Sequence, residues 1–245
     1  MVKEQFERTR LLLGTEAMER LANSHVAVFG VGGVGGHAVE VLARSGVGAI
    51  TLIDKDMVSL SNVNRQIIAL LSTVGEYKVE VAKRRIHDIN PDCRVTALEQ
   101  FYLPENADTI DLSQFDYVAD CVDTMKAKLE LIRRCKALGV PIISSMGAAN
   151  KLDATAFRVS DIEKTTIDPL ARIIRKRLRK EGINSVKVVW SDEEPQKPEE
   201  GSDEEIPQGR HTIPASNAFV PAAAGLIIGG EIVKDLSRNI PSTAQ

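Results

Sequence analysis

Short apolar runs alternate with helically spaced segments along the first 150 residues. His25–Phe29 (HVAVF) runs apolar into a string of glycines, the mark of a buried strand. Residues 34–45 then place apolar side chains three and four apart, which predicts a helix. Residues 49–54 (AITLID) predict a second strand, 79–89 a helix and 95–99 a strand. Residues 117–121 (YVADC) predict another buried strand, 124–138 a helix and 140–144 a strand. Strands and helices in strict turn imply an α/β fold: a doubly wound, Rossmann-like, mostly parallel sheet with helices on both faces. Farther on, 157–159 and 186–190 are expected as added antiparallel strands. Residues 222–236 form an expected C-terminal helix, apolar enough to be buried, with Gly225, Gly229 and Gly230 pointing to close packing.

The length of 245 residues suits one domain. Within it we expect a nucleotide-binding core at 5–150 and a substrate region with a helix at 151–190. A mobile acidic loop is expected at 191–208, and a segment packed on the core at 209–245. No stretch approaches the ~20 apolar residues that span a bilayer. The first ten residues are charged and lack the apolar centre of a secretory signal. The three cysteines, Cys93, Cys121 and Cys135, have neither CxxC nor metal-ligand spacing, so no structural zinc is expected. Their small, odd number fits a reducing, cytoplasmic setting.

Charge is segregated. The stretch 191–205 (SDEEPQKPEEGSDEE) sets eight acids against Lys197 alone and leaves the rest of the chain net positive. With its prolines and no apolar period, it reads as a solvated loop. Just upstream, Arg172, Arg175, Lys176, Arg177, Arg179 and Lys180 carry no acid among them. Leu170, Ile173, Ile174 and Leu178 recur at helical spacing there. Such a basic helix face suits phosphate neutralisation; a merely solvated face is the competing reading.

The strongest local motif is Gly30-Val31-Gly32-Gly33-Val34-Gly35-Gly36, between a strand and a helix. Glycines let the backbone approach a phosphate, and the helix start offers N–H groups and a positive dipole end. Asp54, ending the next strand, is placed to bind a ribose hydroxyl. Asp56, Asn62, Arg65, Gln66, Lys78, Asp120 and Asp123 follow, at positions where strand ends converge on a ligand crevice. Hydride transfer needs no such cluster. Cations offset the charge that develops in nucleotidyl transfer, and an Asp can hold Mg²⁺.

The pattern GxGGxG (Gly30, Gly32, Gly33, Gly35), then 54–66 (DKDMVSLSNVNRQ), Lys78 and Asp120-Cys121-Val122-Asp123 resembles the adenylating family of ubiquitin-activating-type enzymes. The opening phrase QFERTRLLLG at 5–14 is similar to that family's first helix. The resemblance implies ATP and Mg²⁺ as cofactors, with Arg8, Arg65, Lys78 and Asp123 catalytic and Asp123 on the metal. It also implies a homodimer in which Arg8 acts across the interface. Residues 145–153 (SMGAANKLD), 168–172 (DPLAR) and 219–226 (FVPAAAGL) resemble a group within the family that dehydrates threonylcarbamoyladenosine in tRNA. That resemblance implies tRNA as partner, held by the basic helix, and cyclisation through an acyl adenylate. The absence of any cysteine after Cys135 speaks against a thioester step and a sulfur-transfer partner. Two other readings stay open: adenylation of the C-terminus of a ubiquitin-like or sulfur-carrier protein, and a silent nucleotide- or RNA-binding protein.

Overall fold

The computed structural model describes residues 3–199 and 214–238. A 3₁₀ turn, Glu4–Phe6, leads into α1 (Glu7–Leu13). Gly14, at φ 90°, ends the expected first helix and separates it from α2 (Thr15–Asn23), a second helix outside the opening phrase. There follow β1 (His25–Phe29), α3 (Gly35–Arg44), β2 (Ala49–Ile53), α4 (Lys78–Ile89), β3 (Arg94–Leu98) and β4 (Tyr117–Asp120). The chain continues through α5 (Met125–Leu138), β5 (Ile142–Ser145), β6 (Phe157–Asp161), α6 (Pro169–Lys180), β7 (Lys187–Ser191) and α7 (Val220–Ser237). Every expected strand and helix forms, and its ends lie within two residues of the expected ones.

The seven strands make one sheet in the order β3-β2-β1-β4-β5-β7-β6. Five neighbouring pairs are parallel; β6 runs antiparallel to β7. The expectation of two antiparallel additions is therefore corrected for β7. It pairs parallel with β5, because α6 carries the chain back over the sheet before β7 begins. Strand β1 has β2 on one side and β4 on the other, so the winding reverses there. A crevice opens at the carboxyl end of such a switch point.

Two cores cover the sheet's faces. One joins α3, α4 and α7 to Val26, Val28, Ile50 and Leu52. The other joins α5 and α6 to Ala27, Phe29, Val118 and Val188. Alternate residues of β1 enter opposite cores, as the two-residue period of a strand requires. Each fully buried Leu or Ile contributes roughly 1.5–3 kcal/mol. Helix α7 lies against α3, and two of its glycines make this possible. A Cβ on Gly225 would stand 2.1 Å from the Val34 carbonyl oxygen, and one on Gly229 would stand 2.6 Å from Val41 Cβ. Gly230 faces open space and takes no part in this approach.

Of the acidic stretch, residues 192–199 follow β7 as irregular chain; Glu200, Asp203, Glu204 and Glu205 lie outside the described residues. Among the described residues no helix is long and apolar enough to cross a membrane.

Candidate active site

Gly30 leaves β1 at φ 86°, and its N–H donates to the Ile53 carbonyl at 2.8 Å. A Cβ here would stand 2.7 Å from the Cys121 carbonyl oxygen, and one on Gly35 would stand 1.8 Å from Gly30's own. Only glycine fits at these two positions, and together they fold the loop tightly over the strand end. Gly32 and Gly33 are looser: a Cβ would meet Gln66 Nε2 at 3.7 Å and Pro221 Cβ at 3.2 Å. The loop is thus walled by the 61–66 turn and by the start of α7.

Asp54 leaves β2 beside this loop. Its Oδ2 accepts the Val31 N–H at 2.7 Å and its Oδ1 the Asp56 N–H at 2.9 Å. Burial pushes its carboxyl above the usual range, against the pull of the Lys78 cation. Each oxygen retains a lone pair for a further donor, such as a ribose hydroxyl. Lys78 opens α4 with its side chain buried, and its Nζ reaches Asp56 Oδ2 at 3.0 Å. Asp56 is half exposed, so the pair stands at the crevice rather than inside the core.

The 59–66 turn is held by Asn62, whose Oδ1 accepts the Ser59 N–H at 3.1 Å. Its carbonyl accepts the N–H groups of Arg65 and Gln66 at 3.1 and 2.9 Å. Among the described residues the Arg65 guanidinium reaches local partners alone, the Ser61 carbonyl at 2.7 Å and Asn64 Oδ1 at 2.9 Å. Gln66 is buried, and its Oε1 has no hydrogen-bond partner among the described residues. An orphaned acceptor beside a glycine loop suits a ligand or water that donates. Asp123 lies exposed beyond β4, with the Thr124 hydroxyl 3.4 Å from its Oδ1.

One expected site residue sits elsewhere. Asp120 is fully buried: its Oδ2 accepts from Lys128 Nζ at 2.8 Å and from the Ser144 hydroxyl at 2.5 Å. It braces β4 against α5 and β5 and presents no oxygen to a nucleotide. Arg8 lies exposed on α1, and its side chain makes no hydrogen bond or ion pair among the described residues, as expected of a group meant for a second copy. The exposed Leu11 and Leu12 share its helix.

The basic helix also divides. Asp168, fully buried, caps α6 through Oδ1, which accepts the Ala171 N–H at 2.9 Å. Its Oδ2 accepts the Gly147 N–H at 3.1 Å and faces the buried Lys151 ammonium at 3.5 Å. The face of α6 that meets the core is Ala171, Ile174 and Leu178. Ile173, expected on that face, stands exposed. Arg175, half-buried, and Arg179, exposed, are both engaged by partners on the preceding segment. Arg175 donates to the Thr165 carbonyl at 2.7 Å, and Arg179 Nε to Glu163 at 2.8 Å. Arg172, Lys176, Arg177 and Lys180 remain outward around Ile173 and line a shallow surface groove.

One part of the site's wall, residues 215–218, lies outside every motif of the sequence. Asn64 Nδ2 donates to the Ser216 carbonyl at 3.2 Å, and Asn217 Nδ2 to the Lys151 carbonyl at 2.8 Å. Residues 215–221 thus join the phosphate-loop side to the 147–153 loop. These partners are far apart in sequence, and no local period marks them. The thiols are unsuited to nucleophilic work: burial pushes Cys93 up to about 11, and Cys121 and Cys135 up to about 12.

A glycine loop at the switch point of a parallel sheet, with Asp54, Lys78 and Arg65 around it, defines a nucleotide-binding α/β protein. The chain belongs to the ThiF family, whose pattern matches residues 6–244. It is 51% identical over 243 residues to the tRNA threonylcarbamoyladenosine dehydratase of Bacillus subtilis (strain 168), covering 96% of each chain. It is also similar to the E. coli tRNA N6-threonylcarbamoyladenosine dehydratase in complex with AMP, at TM-score 0.85 and 36% identity, covering 95% of this chain and 94% of that one. The same E. coli enzyme in complex with ATP matches at TM-score 0.83 and 35% identity, covering 95% and 93%.

Proposed function

We propose that this chain catalyses the ATP-dependent dehydration of threonylcarbamoyladenosine in tRNA, in the cytoplasm. The observation that carries the reading is its 51% identity, across nearly the whole of both chains, to a dehydratase of that name. The geometry agrees: a nucleotide crevice and an outward basic helix face lie in one sheet protein.

The substrate carboxylate attacks the α-phosphorus of ATP, and pyrophosphate leaves with the electron pair of the broken P–O bond. Internal attack on the resulting acyl adenylate closes a ring and expels AMP. The nucleoside loses one water overall. Every covalent step is between substrates, so no enzyme nucleophile is required, in keeping with the raised thiols. The glycine loop and Asn62 position the phosphates, and Asp54 accepts from the ribose. Lys78 and Arg65 offset the phosphate charge as it shifts onto the leaving group.

Mg²⁺ takes one or two carboxylates and leaves its other positions to phosphates and water. Asp123, an exposed carboxylate at a strand end, fits that need. Bound there, the ion would neutralise phosphate charge. Arg8 would complete the site from a second copy. The exposed Leu11, Leu12, Leu60, Leu70 and Leu71 supply apolar surface for such a pair.

The experiment is nucleoside mass analysis. The protein is incubated with Mg²⁺-ATP and tRNA carrying the linear modification. Loss of one water that depends on ATP is expected. Pyrophosphate exchange that requires a small carrier protein, with no change in the nucleoside, would overturn the reading in favour of carrier adenylation.

A further inference from the structure

Aromatic rings are scarce in this chain, at 4% of residues, and nearly all are used in packing. Phe6, Phe29, Phe115, Phe157, Tyr102, Tyr117 and Trp190 are buried. Phe101 is covered by the Lys55 ammonium, 4.7 Å from its ring centre. Phe219 differs. It is 50% exposed, more than any other aromatic among the described residues, and it belongs to neither core.

Its backbone, in contrast, is firmly held. The Asn217 carboxamide oxygen accepts the N–H groups of Phe219 and Val220 at 3.1 and 2.9 Å. The Phe219 carbonyl accepts the Ala223 N–H at 2.9 Å, which sets the first turn of α7. Two residues on, Pro221 packs against Gly33 of the phosphate loop. Two residues back, Asn217 holds the Lys151 carbonyl, and Ser216 holds Asn64 of the Arg65 turn. An exposed aromatic side chain is therefore carried by a firmly held stretch of backbone in the wall between the nucleotide crevice and the loop that anchors α6. Exposing a ring forfeits burial energy that a core position would give it.

Unpaired RNA bases are gripped by stacking on such rings, and any base offers a face. We propose that Phe219 is the stacking platform for an unpaired base of the tRNA loop, holding the modified nucleoside at the crevice. The inference rests on the tRNA reading above and makes Phe219 a positioning residue; it takes no part in the bond changes.

The test uses the full chain, Mg²⁺-ATP and tRNA bearing linear threonylcarbamoyladenosine. Phe219→Ala should raise the KM for tRNA by about 10- to 100-fold, the size expected for removing one base stack. The KM for ATP and the melting temperature should stay at their wild-type values. Phe219→Trp and Phe219→Tyr should restore tRNA KM, whereas Phe219→Leu should not. Fluorescence of the Phe219→Trp protein, beyond the contribution of Trp190, should be quenched when the tRNA binds. An unchanged tRNA KM in Phe219→Ala, or full rescue by leucine, would overturn the stacking role. A wild-type protein that leaves the nucleoside mass unchanged would remove the tRNA reading and this inference with it. An active wild type with an indifferent Phe219→Ala would remove the stacking role alone.

Discussion

Lys128 donates to Asp120 at 2.8 Å where β4 ends, with both side chains fully excluded from water. Ser144 donates to the same oxygen, and the Val122 N–H approaches the other at 3.3 Å. Breaking such a pair leaves an uncompensated charge in the interior. Asp120→Ala and Lys128→Ala should each lower stability by about 3–5 kcal/mol. Denaturant unfolding of the two variants and of the double variant measures it. If Asp120 instead served the nucleotide, Asp120→Ala would lose ATP affinity while keeping its unfolding midpoint.

Lys78 is the opposite case, a buried stem whose ammonium meets a half-exposed partner, Asp56. Its charge is available to a phosphate that displaces or joins Asp56. Lys78→Ala should reduce turnover by about 10²–10³, the usual loss for one donor aimed at developing charge. tRNA affinity, measured by filter binding, should change little. A variant with normal turnover and weakened tRNA binding would remove Lys78 from the nucleotide site.

Asp54 gives the pH dependence a direction. Burial holds its carboxyl above the usual range, so it takes up a proton at a higher pH than a surface aspartate. Accepting from ribose through either oxygen is best done by the charged form. ATP affinity should therefore decline on acidification before ordinary carboxylates titrate. Asp54→Asn should bind ATP more weakly and flatten that decline, read by calorimetric titration across pH. For folding the sign is reversed: the native chain holds this proton more tightly than the unfolded one. The stabilisation it brings at low pH is lost as pH rises through the native value.

The division of α6 makes two classes of basic residue. Reversing Arg172, Lys176, Arg177 and Lys180 to glutamate should weaken tRNA binding and reduce the slope of log affinity against log salt. The reduction is roughly 0.7–0.9 for each phosphate that the helix ceases to neutralise. Arg179→Ala removes a partner of Glu163 and should leave that slope nearly intact. Equal slopes for the wild type and the fourfold variant would take this helix off the RNA.

Much of the fold could be read from sequence because the period of each segment and the glycines between them agree. His25–Phe29 followed by the glycine run could hardly be anything but a strand entering a phosphate loop. The direction of β7 was not legible, since period gives the type of an element and says nothing of its neighbour. Asp120 was misplaced for a similar reason. At a strand's carboxyl end a carboxylate faces either the crevice or the core, and its burial depends on Lys128 one turn into the next helix. Arg175 and Arg179 look like their neighbours in sequence. Only Thr165 and Glu163, folded back beneath the helix, distinguish them. Residues 215–217 bear on the site through partners more than sixty positions away, beyond any local pattern.

Asn150 ties together two distant parts of the chain. At φ 60°, it accepts the Gln196 N–H through its own carbonyl at 2.6 Å. Its N–H and side-chain oxygen meet Ala215 at 2.8 and 2.7 Å. One residue thus fastens both banks of the stretch between, whatever that stretch contains. Where two ends are pinned in this way, each doubling of a flexible connection adds only ~0.6 kcal/mol to the cost of closing it. For an engineer this is a natural port: a reporter or affinity module spliced between 197 and 214 should leave the enzyme's frame standing.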